Sequence, residues 1–79
     1  MIIPDPVPVI RTEMVRWGYT VESLSRESDI SVAVLQGILR GRTNSLSTRT
    51  IFGLSRAFHY DTAEFIDLLH GIIPQKAPI

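Results

Sequence analysis

The chain has 79 residues, enough for one small domain but not for two separate cores. It contains no cysteine, which excludes disulfide bonds and thiolate metal sites and suggests a reducing, cytoplasmic location. Eight basic and eight acidic residues give a formal net charge of zero, which argues mildly against a nucleic-acid binder.

Two short extensions are expected to flank one folded domain. Residues 1–8 carry three prolines and predict an extended arm, while residues 72–79 predict a C-terminal tail. The first residues lack the basic region of a secretory signal, and no apolar run approaches the roughly 18 residues of a membrane-spanning helix. We therefore expect no membrane association and a single domain over residues 9–71.

Apolar residues recur at helical spacing and predict five short helices with no strand, an all-α fold. The predicted helices cover residues 9–17, 21–28, 32–40, 48–58 and 62–70. Gly18 is suited to end the first helix, and Asp29 to adopt the left-handed backbone of the turn after the second. Short polar side chains that can cap the later helices stand at the expected positions: Thr20, Ser31, Ser47 and Asp61, the last with Glu64 as a capping box.

Residues 20–41 are the most informative segment. Two short helices joined by a turn of about three or four residues form a helix-turn-helix, and in DNA-binding versions the second helix enters the major groove. Leu35 and Ile38 point inward on that second helix. On its outer face, Gln36 is suited to pair with adenine, and Val32 and Ala33 to meet thymine methyl groups.

The distribution of charge also favours the outer face of the second helix as a DNA-contacting surface. Residues 30–60 contain no acid, yet they contain Arg40, Arg42, Arg49 and Arg56. Arginine is suited to bidentate phosphate contact, although ordinary solvated surface is the alternative interpretation. The expected phosphate contacts come from the amides at helix N-termini and from Thr20, Ser31, Arg40, Arg42, Thr43, Asn44 and Ser45.

The ordered set of these positions resembles the Cro/CI-type (Xre-like) helix-turn-helix family of small phage and bacterial regulators. The resemblance covers residues 10–71. It rests on Gly18-Tyr19-Thr20, Leu24 with small Ser25, Ile30-Ser31, Leu35, Ile38, Arg40-Gly41, Leu54-Ser55-Arg56-Ala57-Phe58 and Asp61 to Phe65. It implies a compact five-helix, lambda-repressor-like domain that binds palindromic operators in double-stranded DNA as a homodimer, typically as a repressor of phage, plasmid or toxin–antitoxin type. Val21 stands where many members bond the DNA backbone through Gln.

We expect the dimer to form around residues 65–74, through Phe65, Leu69, Ile72 and Ile73, because Ile72 and Ile73 have no obvious internal partner. The N-terminal arm is the competing candidate. A protein partner such as a toxin or an anti-repressor is also compatible with the resemblance.

A second hypothesis is a protein-interaction module on the same fold, with DNA reading reduced or lost. It is favoured by the apolar Val21, Val32 and Ala33 and by the zero net charge. Gly37 costs the helix roughly 1 kcal/mol relative to Ala, which suggests that DNA or protein approaches closely there.

We expect no enzymatic activity, no cofactor and no metal site. His59 and His70 have no second His or Cys at metal-binding spacing and suit helix C-termini. Glu13, Glu22 and Glu27 are predicted to be solvated. The remaining aromatic candidates are predicted to be core: Trp17, Phe52, Phe58 and Phe65.

Overall fold

The computed structural model describes residues 5–43 and 45–71, which form five α-helices and no strand. The helices are α1 Val7–Trp17, α2 Val21–Ser28, α3 Val32–Leu39, α4 Thr48–Ala57 and α5 Thr62–Leu69. The all-α prediction is confirmed. Apart from the start of α1, every helix boundary agrees with the predicted one to within one residue.

Helix α1 begins two residues earlier than predicted, so Val7 and Pro8 belong to a helix and not to an extended arm. Pro6 is its N-cap, with φ −77° and ψ −15°, and Pro8 lies in the first turn. Proline is tolerated there because the first N–H groups of a helix have no intrahelical acceptor. Residues 1–4 of the predicted arm and the tail, residues 72–79, lie outside the described residues.

The polar residues before α2 to α5 act as predicted. The Thr20 hydroxyl accepts a hydrogen bond from the Ser23 N–H at 3.1 Å, and the Ser23 hydroxyl accepts from the Thr20 N–H at 2.8 Å. The Ser31 and Ser47 hydroxyls each accept from the N–H three residues ahead, at 3.2 and 3.1 Å. The Asp61 N–H donates to the Glu64 carboxylate at 3.4 Å. These bonds supply acceptors that the first turn of a helix otherwise lacks.

Left-handed residues end the first two helices, also as predicted. Gly18 has φ 68° and Asp29 has φ 59°. Gly41 and Gly71, with φ 73° and 81°, follow α3 and α5 in the same conformation, and His59, with φ 62°, follows α4 and was not predicted to adopt it. Each of these positions turns the chain sharply, which allows short helices to pack at an angle to one another.

One continuous core joins all five helices, with α4 packed against both α2 and α5. Phe58 is the aromatic centre, since its ring lies 5.9 Å from that of Phe65 and 6.1 Å from that of Tyr19. The Tyr19 hydroxyl donates to the Ala57 carbonyl at 2.9 Å and so ties the segment after α1 to α4. The core residues are Ile10, Leu24, Ile30, Leu35, Ile38, Leu46, Ile51, Leu54, Ala57, Phe58, Phe65 and Leu69.

Three burial predictions were wrong. Phe52 and Trp17 were expected in the core, but they are 58% and 43% exposed. Phe52 follows the buried Ile51, and one step along a helix turns a side chain by about 100° onto another face. Glu13 was expected to be solvated, yet it is only 3% exposed. It lies one turn from Ile10 on the packed face of α1.

None of the helices within residues 5–43 and 45–71 is both long enough and apolar enough to cross a membrane.

Candidate nucleic-acid interface

Three residues, 29–31, connect α2 to α3. Asp29 reverses the chain through its left-handed backbone, with φ 59° and ψ 34°. The Ser25 hydroxyl then donates a hydrogen bond to the Ile30 carbonyl at 2.5 Å, and the Ile30 side chain is buried. The connection is therefore tied back onto α2, which fixes the direction in which α3 leaves it.

The inner face of α3 is the one that the sequence predicts. Leu35 and Ile38 are 1% and 2% exposed and lie in the core. Helix α3 packs against α2 on one side and α1 on the other, where the Arg11 guanidinium donates to the Leu39 carbonyl at 3.3 Å. Helix α3 is thus held by two neighbours, and the face turned away from them is partly exposed.

That outer face carries Ala33, Gln36, Gly37 and Arg40, at the spacing of a single helical stripe. Ala33 and Arg40 are exposed, and Gln36 and Gly37 are half-buried, as is the neighbouring Val32. A Cβ atom added at Gly37 would meet no other atom within 4 Å. No contact within the described chain therefore requires glycine at this position.

The other predicted DNA contacts surround this stripe. Thr20 and Ser31 are exposed at the starts of α2 and α3, with their hydroxyls engaged as caps. Val21 is half-buried and packs against the core, so its side chain is committed to the fold. This burial gives an apolar residue at that position a structural role.

The loop after α3 contributes cationic and polar side chains. Arg40, Arg42 and Thr43 are exposed, and the Thr43 hydroxyl accepts a hydrogen bond from the Ser45 N–H at 3.1 Å. The Arg42 N–H donates to the Gly37 carbonyl at 3.0 Å, which holds the start of the loop against the end of α3. Asn44, also predicted to contact DNA, lies outside the described residues.

Folding places the acid that precedes the basic segment beside a distant arginine, which the linear sequence does not reveal. The Asp29 carboxylate lies 3.8 Å from the Arg49 guanidinium, and both side chains are more than four-fifths exposed. Such an exposed pair contributes only about 0–1 kcal/mol to stability. Its larger effect is to offset part of the positive potential near the turn.

Next to this pair lies an open groove of about 520 Å³, which we call the turn groove. Val34, 47% exposed, lines it, although the sequence reasoning assigned Val34 no role. The residues of the groove are Ser25, Asp29, Ile30, Ser31, Val34, Arg49 and Thr50. An exposed apolar residue at this place on α3 favours contact with an apolar partner group.

Two of the residues expected at a dimer interface are buried within the chain itself. Phe65 is 0% and Leu69 is 4% exposed, because α5 turns both toward the core beneath α4. Neither side chain offers accessible surface to a partner in the folded chain, so their burial does not support the predicted role at an interface. Ile72 and Ile73 lie outside the described residues.

The two histidines occupy helix ends. The His59 ring packs against Trp17, with ring centroids 4.5 Å apart, and the His70 ring nitrogen lies 2.9 Å from the Ile66 carbonyl. Over residues 5–43 and 45–71, no three His, Asp or Glu side chains come together in a metal-binding arrangement.

A polar cluster between α1 and the end of α4 holds the buried Glu13. Its Oε1 atom is 3.9 Å from the Arg16 guanidinium and has no hydrogen-bond partner among the described residues. The Arg16 guanidinium also donates to the Tyr60 hydroxyl at 3.4 Å. Burial raises the pKa of Tyr60, and the negative charge of Glu13 raises it further.

Comparisons with protein families, curated proteins and solved structures find no match to this chain.

Proposed function

We propose that this protein is a sequence-specific DNA-binding regulator that uses α2 and α3 as a helix-turn-helix, with α3 in the major groove. The observation that carries the proposal is the partly exposed outer stripe of α3. The helix is fixed on two sides by α1 and α2, while Ala33, Gln36, Gly37 and Arg40 face away from the core. A rigid helix with a free face is what groove insertion requires.

The side chains on this stripe suit a limited reading of base edges. Gln36 can bond adenine through its amide, and Ala33 with Val32 can meet thymine methyl groups. Both kinds of contact favour A·T pairs. We therefore expect an A·T-rich preferred half-site.

Gly37 supports a close approach by another molecule. Glycine inside a helix costs about 1 kcal/mol relative to alanine, and open space surrounds this position in the described chain. Among the described residues, no close contact accounts for a glycine at this position. Contact with the floor or wall of a groove would account for it.

Phosphate contacts are assigned to the exposed Arg40 and Arg42 and to the first-turn amides of α2 and α3. Arginine supplies attraction that weakens as salt rises, and helix N-termini favour anions. A homodimer would place two α3 helices on a palindromic operator, and repression is the activity that the family resemblance implies.

A second candidate is a protein-interaction module, favoured by the exposed Val34 beside the turn groove. Val34 is 47% exposed and Ala33 is also exposed, so the start of α3 presents apolar surface. The Asp29–Arg49 pair lowers the positive potential there. A toxin or an anti-repressor is the kind of partner that this hypothesis implies.

Selection from a random double-stranded DNA library distinguishes the two candidates. The enriched duplex, together with the DNA upstream of the chain's own gene, is then titrated at low and high salt. We expect one enriched motif and an affinity that falls linearly with salt on logarithmic axes. If no duplex binds more tightly than the unselected library, the DNA-reading proposal is wrong and the interaction module is favoured.

A further inference from the structure

The outward face of α4 carries an exposed aromatic side chain without an internal explanation. Phe52 is 58% exposed, whereas Ile51 and Leu54 on the same helix are buried. The other exposed aromatic, Trp17, packs against the His59 ring. Among the described residues the Phe52 ring has no aromatic partner. A single exposed apolar side chain is common on protein surfaces, so the surroundings of Phe52 decide what it can do.

A hollow of about 220 Å³ lies directly beside Phe52, between α4 and the start of α5. Small-molecule pockets usually measure about 300–1,000 Å³, so this hollow is better matched to a single side chain than to a ligand. Its lining residues are Phe52, Ser55, Arg56, Tyr60, Asp61 and Thr62. We call Phe52 and this hollow together the α4 patch.

The α4 patch carries both signs of charge. Arg56 and Asp61 line the hollow and are exposed, and neither forms an ion pair within the described part of the chain. The patch therefore combines an apolar projection, a hollow of side-chain size, one cation and one anion. The projection complements the hollow, and the cation complements the anion. A surface that carries both members of each of these pairs can bind a copy of itself about a twofold axis.

We propose that the α4 patch binds a second copy of this chain about a twofold axis, with Phe52 of each copy in the hollow of the other. Arg56 of one copy then faces Asp61 of the other, and the reverse contact forms by symmetry. The charge complementarity of Arg56 and Asp61 selects a second copy over an unrelated partner, which would need to supply both charges in the same arrangement.

This inference replaces the expected interface at Phe65 and Leu69, which are buried. It identifies the dimer face that the proposed function leaves open, yet it does not depend on DNA binding. Self-association is measured without DNA, so its failure and the failure of DNA reading are separate results.

Sedimentation equilibrium of the full chain over a range of concentrations tests the apolar contact. We expect reversible dimerisation, and we expect Phe52→Ser to raise the dimer dissociation constant by at least about tenfold, as for a central interface residue. Val15→Ser is the matched control, since Val15 is an 83% exposed apolar residue on α1, outside the α4 patch. It should leave the dissociation constant unchanged.

Charge reversal tests whether Arg56 of one copy faces Asp61 of the other. It also distinguishes a lost contact from a folding defect. Arg56→Asp alone and Asp61→Arg alone each place like charges opposite one another and should stay monomeric. An equal mixture of the two variants restores both opposite-charge contacts and should form a heterodimer. A folding defect would not be repaired by mixing, and far-UV circular dichroism checks the helix content of each variant.

Three results would overturn the proposal. The first is a full chain that does not self-associate at any concentration, whether it stays alone or binds an unrelated protein instead. The second is a Phe52→Ser variant that dimerises as the parent does, which would move the interface elsewhere. The third is a pair of charge variants that keep the helix content of the parent and still fail to associate on mixing.

Discussion

The carbonyl oxygen of Ser28, at the end of α2, occupies the place where a side chain at Gly53 of α4 would stand. A Cβ atom built at Gly53 would overlap that oxygen and press on the Ile30 side chain. The absence of a side chain at Gly53 therefore lets the backbones of α2 and α4 come into direct contact. This contact positions the turn before α3.

We expect Gly53→Ala to destabilise the fold by about 1–3 kcal/mol, because the added methyl meets backbone and not a flexible side chain. Gly37→Ala is the matched control, since both substitutions raise helix propensity but only the first meets an obstacle. Gly37→Ala should stabilise by up to about 1 kcal/mol. Urea unfolding of both variants measures the difference, and equal stabilities would contradict the close contact.

The same Gly37→Ala variant tests the proposed DNA face. If a groove wall lies against Gly37, the added methyl should weaken DNA binding while the protein itself becomes more stable. Fluorescence anisotropy with the selected duplex measures the affinity. Unchanged or tighter binding would show that nothing approaches this position.

We expect Gln36→Ala to lower affinity for the preferred site by about 1–3 kcal/mol, through the loss of one base contact. Binding to unrelated duplexes should change little, because phosphate contacts remain. A parallel titration of preferred and scrambled duplexes measures the ratio. An equal loss on both would assign Gln36 to the DNA backbone.

Arg42→Ala should weaken binding to every sequence and flatten the salt dependence by about one unit of slope. Arg26→Ala is the matched control, because Arg26 is an exposed arginine on α2 outside the acid-free segment. Its salt slope should match that of the parent. The same slope for both variants would remove the loop after α3 from the proposed interface.

Leu35→Ala should destabilise the protein by about 2–5 kcal/mol, as expected for a cavity at a residue only 1% exposed. In a domain of this size such a loss can unfold the chain. Thermal unfolding followed by circular dichroism measures it. An unchanged melting temperature would place Leu35 outside the core.

The raised pKa of the Tyr60 phenol gives a prediction at high pH. Burial and the charge of Glu13 hold the pKa of Tyr60 above its ordinary value of 10.0, so the folded state favours the protonated phenol. The stability linked to this proton is complete below about pH 10 and is lost as the pH rises through the folded pKa. Ultraviolet titration of Glu13→Gln should show the phenol ionising at lower pH, with Tyr60→Phe assigning the signal. A titration curve identical to that of the parent would exclude Glu13 as a cause.

Local features of this chain could be predicted because their causes lie within a few residues. Thr20 and Ser31 cap helices through bonds to groups three residues away, and Asp29 adopts a conformation that its short side chain tolerates. Leu35 and Ile38 were placed correctly because their spacing defines one face of a helix. The five-helix outline follows from these signals.

The burial of side chains near helix ends, and of those at the border of an apolar helical face, could not be predicted so well from the sequence. Phe52 lies one position from Ile51, and only the packing of α4 against α2 and α5 decides which of the two turns inward. Glu13 shares the face of Ile10, but its charge favoured a solvated interpretation until Arg16 and Tyr60 were seen beside it. The approach of Asp29 to Arg49 depends on how α2 meets α4, which no local pattern encodes.

The direct contact between Ser28 and Gly53 has a consequence for the spacing between the two half-sites of any operator. It locks the segment before α3 to the helix that carries Phe52, so a dimer formed through Phe52 would hold its two α3 helices at one fixed separation. Such a dimer would bind only operators whose two half-sites have the matching spacing. The expected distance between half-site centres is one helical turn, about 10–10.5 base pairs, or a multiple of one turn. A single inserted base pair between the half-sites would then rotate one site away from its helix, and the protein could not stretch to follow it.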